Sequence, residues 1–227
     1  MPIWQRPRGI LTTLGLLVAA LAGVGQASAQ IINQCLPIKD RTGEIGCWII
    51  TDEALGQLPD RPMFWHLDAY PTRADADAAK GPRGTVLEGL GKIWVSTIGE
   101  AGWRPSIGER IAEIGPLPVT SGEQYSAQYL EAIFTPGMTT NPHRHPGPEA
   151  WYTLVGETCL ETPEGKVIGR AGGPPVIVPG GLPMHLTATG TEQRRALVLI
   201  LHESSKRSGS PAPDWTPKGL CKPETPK

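Results

Sequence analysis

The sequence predicts an all-β protein, built as an antiparallel sandwich or barrel. Its 28 glycines and 24 prolines disfavour long helices, because both residues break helix interiors. Short apolar stretches recur in the second half, and turn residues separate them at close spacing. No long amphipathic segments lie between these stretches, so nothing supplies the crossover helices of a parallel sheet.

The first half of the mature chain is expected to contain a few strands and one short helix. Thr72 followed by Asp75 resembles a helix start in which the threonine caps the first turn. Gly89 and Gly91 indicate a bulge or turn between strands. In chain order we expect an irregular segment over 30–46, strands over 47–50 and 63–70, a helix over 73–80, one or two strands over 85–98, and a Gly/Pro-rich connection over 99–123.

The second half shows a denser strand pattern. In chain order we expect strands over 124–134, 150–162 (broken near Gly156), 176–178, 185–189 and 196–202. Serines, prolines and lysines dominate the remaining residues, which predicts a tail. The expected organisation is therefore an N-terminal strand-rich region over 30–123, a barrel over 124–203 and a tail over 204–227.

Charge and motifs exclude several function classes. Lys and Arg number 21 against 22 Asp and Glu, so the chain has no basic field to hold nucleic acid. Gly89-Leu90-Gly91 lacks the third glycine of a dinucleotide loop, and neither a phosphate-binding Gly-Lys loop nor a Gly-x-Ser-x-Gly elbow is present. The expected partner is a small molecule rather than a nucleic acid, and a homodimer is left open.

Residues 1–29 have the organisation of a signal peptide. Arg6 and Arg8 precede an uncharged apolar run over 10–25, and Ala27-Ser28-Ala29 supplies a small-x-small cleavage pattern. The run is shorter than the about 20 residues that span a bilayer. We therefore expect cleavage after Ala29 and an exported, periplasmic or extracellular product with no membrane segment, with an uncleaved anchor as the alternative.

The chain contains four cysteines, all downstream of this leader. An even number in an oxidising compartment predicts two disulfides, and four cysteines allow three pairings. We favour Cys35–Cys47, which closes a local loop, and Cys159–Cys221, which would attach the tail to the barrel. The sequence alone leaves the pairing open.

A group of metal-ligand residue types surrounds two turns. His143 and His145 are two residues apart, so on a strand both imidazoles point to one face. The turn over 146–148 then allows Glu149 to approach them, and His185 follows a second turn. Imidazoles with one carboxylate suit a first-row divalent metal that keeps open positions, whereas Mg and Ca prefer oxygen ligands.

These residues resemble the cupin family. Its first motif is matched at every spacing, and in the second motif the histidine comes one residue late, with Thr189 near the place of the final asparagine. The matched positions are Gly137, His143, His145, Glu149 and Gly156 in the first motif and Gly173, Pro179 and Gly181 in the second. The resemblance covers roughly residues 124–203. It implies a jelly-roll β-barrel that binds one metal (Fe, Mn, Zn or Ni) through His143, His145, Glu149 and His185.

The N-terminal region allows two interpretations beside this resemblance. It is either a degenerate second cupin lobe, or a set of outer strands and a helix added to one barrel. His66 is its only histidine, so a second lobe would be metal-free.

Alternation along the strands extends the predicted site. An inward Glu149 places Trp151 and Thr153 on the same face, and an inward His185 does the same for Thr187. We expect these three side chains to line a pocket, with plain core packing as the alternative for Trp151. Glu149 is the candidate catalytic base if it leaves the metal.

Three functions remain open at this stage. The favoured one is a mononuclear metal enzyme acting on a small organic molecule. Fe or Mn would support dioxygenase-like chemistry, whereas Zn, Ni or Mn would act as a Lewis acid in an isomerase or lyase. The alternatives are a small-molecule binding protein and a structural protein whose barrel the metal stabilises.

Overall fold

A computed structural model of the chain describes residue 1 and residues 30–223, so the predicted signal peptide lies outside the described residues, apart from Met1. The described part is strand-rich, with one α-helix, α1 (Arg73–Ala79), and a 3-10 turn over Ile38–Asp40. The strands are β1 (Ile31–Ile32), β2 (Leu36–Pro37), β3 (Gly46–Gln57), β4 (Met63–Tyr70), β5 (Gly84–Gly89), β6 (Lys92–Glu100), β7 (Glu109–Leu117), β8 (Gln124–Phe134), β9 (Thr139–Thr140), β10 (His143–Arg144), β11 (Glu149–Val155), β12 (Glu157–Thr162), β13 (Gly165–Arg170), β14 (Val176–Val178), β15 (His185–Thr189), β16 (Arg194–Glu203) and β17 (Ser210–Pro211). The predicted all-β class is confirmed.

Four sheets form among the described residues: three make up three layers, and the fourth is the short pair β10-β17. The middle sheet has the order β14-β11-β16-β8-β3-β2, and the others have the orders β1-β9-β15-β12-β13 and β5-β6-β4-β7. Neighbouring residues of β8 point to opposite layers: Leu130 packs with Leu186 of the five-stranded sheet, whereas Tyr129 packs with Trp65 of the four-stranded sheet. Layers thus cover both faces of the middle sheet, and β8 is buried along nearly its whole length.

Two local predictions on the N-terminal side agree with the structure. Thr72 Oγ1 accepts a hydrogen bond from the Asp75 backbone N–H at 3.1 Å and caps α1, which ends one residue before the predicted end. The β5–β6 hairpin closes through Leu90 and Gly91, both at positive φ. Positive φ at both central residues is the geometry of a type I′ turn, whose twist matches that of the paired strands.

The prediction of an irregular connection over 99–123 is wrong for the middle of this segment, which forms a strand. Strand β7 forms there and pairs with β4 along the edge of the four-stranded sheet. The pairing buries Ile114 and Leu117, which the Gly/Pro-rich flanks obscured in the sequence. Strand β13 was also not expected, because only its pairing with β12 distinguishes it from a loop.

Strand pairing crosses the predicted boundary between residues 123 and 124. Strand β3 comes from the N-terminal side but pairs along its length with β8 in the middle sheet. The remaining N-terminal strands form a single sheet that covers the outer face of this middle sheet. Among the described residues these strands are thus added as a layer to the middle sheet.

Both favoured disulfides, Cys35–Cys47 and Cys159–Cys221, are present. The predicted tail is held against the barrel, because β17 pairs with β10 in addition to the second disulfide. Among the described residues, no helix has the length and apolar character needed to cross a membrane.

Candidate metal centre

Three side chains meet at one end of the barrel interior. His143 lies on β10, His145 follows it, and Glu149 begins β11. One ligand atom from each lies within 4.8 Å of the others. The turn between His145 and Glu149 brings the chain back so tightly that a Cβ on Gly147 would lie 2.0 Å from the Leu201 carbonyl oxygen. A glycine is therefore required for the approach of Glu149 to the two imidazoles.

Hydrogen bonds on the outer side of each imidazole set its orientation. His143 Nδ1 lies 2.8 Å from the Asn141 carbonyl oxygen, and His145 Nδ1 lies 2.5 Å from that of Ser208. A carbonyl oxygen only accepts, so each Nδ1 carries the hydrogen. In a neutral ring the Nε2 lone pair then faces inward, which is how histidine ligands to metals are usually held.

Glu149 presents an unpaired oxygen to the same point. Its Oε1 accepts a hydrogen bond from Trp151 Nε1 at 2.5 Å, whereas Oε2 is buried without a hydrogen-bond partner. Oε2 nevertheless lies 3.1 Å from His145 Nε2. Two imidazole nitrogens and a carboxylate oxygen thus converge, and a divalent cation would satisfy all three. The donor set fits a first-row metal with open positions.

The pKa values of these three side chains are those expected of a site that binds either a proton or a metal ion. Burial acts to raise the pKa of Glu149, but the adjacent His145 and His143 hold it below its ordinary value. Burial acts to lower the pKa of His145, but Glu149 and the Ser208 carbonyl raise it overall. The pKa of His143 is lowered, mainly by burial. Because ligands bind metals in their deprotonated form, metal binding would compete with protonation of His145, whose pKa is raised.

The structure does not bring His185 into this group, so the predicted set of four ligands is corrected to three. Met184 forms the backbone bridge to His143, and its side chain packs in the barrel interior with Leu186. His185 therefore points to the opposite face of β15, beside its register partner Glu161. A shift of one residue moves a side chain to the other face of a strand. His185, which comes one residue later than the histidine of the second motif, therefore lies outside the barrel. Met184 occupies the position at which the motif has its histidine.

A cavity of about 420 Å³ opens beside the three candidate ligands. Apolar side chains of the middle sheet form much of its wall, and the segments over 32–35 and 208–211 contribute to its lining. The wall includes Leu130, Phe134, Leu186, Val198 and Ile200.

The three predicted pocket residues are not among those that line this cavity. Trp151 is 1% exposed and packs in the interior cluster, where its N–H orients Glu149. Thr153 is buried, with its Oγ1 near Gly169. Thr187 is opposite Cys159 and shares the outer face of β15 with His185. For Trp151 the core-packing alternative is therefore the one that the structure shows.

The Arg194-Arg195 pair predicts charge at a strand edge, with an arginine near the barrel able to hold an acidic substrate as the alternative. The structure instead buries Arg194, which lines the cavity. Burial lowers its pKa to about 10, and the charge of Glu149 acts in the opposite direction. The alternation of side chains along β16 is the sequence signal that points to Arg194. Arg194 lies on the same face of this strand as Val198 and Ile200, which line the cavity.

The tail also contributes to the site in a way that the sequence did not indicate. Ser208 accepts the hydrogen bond from His145, and Gly209 packs against the same ring. Arg144, between the two histidines, forms an ion pair with Asp214 at 2.6 Å. The segment after the last long strand therefore supports the ligand loop from outside.

Trp151→Phe is expected to weaken metal binding by about 10- to 100-fold, the usual effect of losing a residue that supports a ligand. Phenylalanine fills most of the space but cannot donate to Glu149 Oε1, so the carboxylate becomes free to rotate. The measurement is metal affinity by competition with a chelator. Trp94→Phe is the matched control, because its indole N–H bonds the Gly89 carbonyl oxygen, outside the ligand group. Equal affinity in the two variants would contradict the orienting role.

Comparisons with known proteins give structural neighbours only. No protein-family model and no curated protein sequence matches the chain. A cupin superfamily protein from Desulfitobacterium hafniense is 15% identical, with a TM-score of 0.31 over 38% of this chain and 74% of its own. A cupin-like protein from Thermotoga maritima is 18% identical, with a TM-score of 0.35 over 38% and 64%. A recombinant oxalate oxidase in complex with glycolate is 21% identical, with a TM-score of 0.31 over 38% and 45%. Two of these descriptions carry the family name that the motifs resemble.

Proposed function

We propose that this chain is an exported, mononuclear metalloenzyme of the cupin type that acts on a small organic molecule. One first-row divalent metal (Fe, Mn, Zn or Ni) would be held by His143, His145 and Glu149. The observation that carries this proposal is the buried Glu149 Oε2, which has no hydrogen-bond partner although it lies 3.1 Å from His145 Nε2. Three protein ligands leave coordination positions open, as catalytic rather than structural metal sites do.

The metal, the apolar wall of the cavity and Glu149 would each have a separate role in the reaction. When bound, the metal would supply either a site for O₂ and substrate or a Lewis acid that polarises a substrate oxygen. The apolar wall around Leu130 and Val198 would limit the access of water to the reacting groups. Trp151 fixes one oxygen of Glu149, which favours a ligand role for this residue. A role as catalytic base would require Oε2 to leave the metal.

The test is turnover by metal-loaded protein. Metal-free protein is loaded separately with Fe, Mn, Ni and Zn, then supplied with a panel of phenolics and small organic acids. We expect oxygen consumption or product formation with at least one metal, absent in His143→Ala and retained in His202→Ala. If the metal exchanges and the protein binds ligands but shows no turnover, the binding-protein alternative is favoured. Metal that cannot be exchanged and supports neither would favour the structural alternative.

Export is the second part of the proposal. The two disulfides support it, because such bonds persist in oxidising compartments. N-terminal sequencing of the protein recovered outside the cytoplasm should begin at Gln30. A mature protein that begins at Met1 would contradict cleavage.

A further inference from the structure

Arg194 begins strand β16 and turns its side chain into the barrel interior, where it is 1% exposed. Its guanidinium carbon lies 5.3 Å from the centroid of the Phe134 ring and 5.6 Å from that of Trp151. Contact with two aromatic rings holds the planar group in place. A positioned cation therefore lines the same cavity as the three candidate ligands.

The guanidinium of Arg194 lacks acceptors. Its Nε and Nη2 atoms are enclosed and have no hydrogen-bond partner among residues 30–223. Nη1 is not among these buried, unpaired atoms, and Arg194 is among the residues that line the cavity. A pKa of about 10 keeps the group charged at neutral pH. Buried charges in proteins are normally paired, so this arginine indicates a missing acceptor.

Glu149 does not supply that acceptor. Its Oε1 is bonded to Trp151, its Oε2 faces His145, and no ion pair joins it to Arg194 within the described part of the chain. If a divalent metal binds, the dication, the Glu149 carboxylate and the Arg194 guanidinium together carry two net positive charges. The apolar wall of the cavity strengthens this field, because charges interact more strongly where water is excluded.

We propose that Arg194 binds a carboxylate group of the substrate, and that the substrate is a small carboxylic acid with an apolar or aromatic body; this rests on the proposed function for the same cavity. A guanidinium N–H donates a charge-assisted hydrogen bond to a carboxylate, and such bonds are stronger than neutral ones. The side chains of Leu130 and Ile200 would contact the apolar body. A phosphate would leave further oxygens unpaired against this wall.

The first test compares two ligands of the same shape, benzoate and benzamide, by titration calorimetry. The zinc-loaded wild type should bind benzoate about 10- to 100-fold more tightly than benzamide, because only the carboxylate forms charged hydrogen bonds with Arg194. The metal-free protein should show the same preference. Equal affinities in both forms would overturn the proposal, and so would tight binding of inorganic phosphate without binding of benzoate.

Substitutions test whether Arg194 causes the preference for benzoate over benzamide. Arg194→Gln should bind the two ligands equally, whereas Arg194→Lys should keep part of the preference because the charge remains. Arg195→Gln is the matched control, since Arg195 is partly exposed and pairs with Glu44 at 2.6 Å. Preference retained in Arg194→Gln would overturn the assignment. If that variant does not fold, the wild-type ratio and Arg194→Lys still decide, because an unchanged ratio in Arg194→Lys contradicts a specific role of the guanidinium.

The two proposals fail in different ways. Metal content, measured on each sample, reports the metal site and not the anion site. A protein that binds no metal but prefers benzoate refutes the metalloenzyme alone. A metal-loaded, active protein without the preference refutes the role of Arg194 alone.

Discussion

His143→Ala and His145→Ala are each expected to lose most of the bound divalent metal. Each removes one of three ligands, so the loss of affinity should exceed the about 100-fold that follows from losing a supporting residue. The structural basis is the convergence of His143, His145 and Glu149 within 4.8 Å. The measurement is elemental analysis of each variant after equal exposure to Mn, Fe, Ni and Zn.

His185→Ala is the informative control, because the second motif and the structure disagree about it. The resemblance makes His185 a ligand, whereas the structure places it beside Glu161 on the outer face of β15. We expect wild-type metal content in His185→Ala and in His202→Ala, where His202 faces Asp52 instead. Metal loss in His185→Ala would restore the four-ligand site. Full metal content in both His143→Ala and His145→Ala would remove the site altogether.

Removal of the Cys159–Cys221 disulfide is expected to cost more stability than removal of Cys35–Cys47. The bonds span sequence separations of 62 and 12 residues. In the chain-entropy account, loops of these sizes correspond to about 4 and about 3 kcal/mol of folding free energy. The double variant Cys159→Ser/Cys221→Ser also releases the tail, whose Ser208 holds His145 in place.

Urea unfolding of the two double variants without reductant measures the free energies of unfolding. Metal content of the same samples reports the second effect, which should appear only when the tail is released. A larger loss in Cys35→Ser/Cys47→Ser, or unchanged metal affinity in Cys159→Ser/Cys221→Ser, would contradict the role given to the tail. Thiol titration of the denatured wild type should find no free cysteine.

The sequence was most informative where the relevant interactions are local. The spacing of His143, His145 and Glu149 predicted their convergence, because a strand and one tight turn connect them. The capped start of α1 at Thr72 and the extent of β4 were predicted for the same reason. Strand β7 was missed, because its burial depends on pairing with β4 and not on its own composition.

The sequence by itself determined the strand-rich class and the loop that carries the three candidate ligands, since both follow from residue types at short spacing. Only the tertiary structure decided what the second motif contributes, because the register of β15 turns Met184 inward and His185 outward. The same holds for Arg194 and Ser208, which reach the site through the pairing of β16 with its neighbours and of β17 with β10. Such contacts depend on which strands become neighbours, and that is settled by burying both faces of the middle sheet at once.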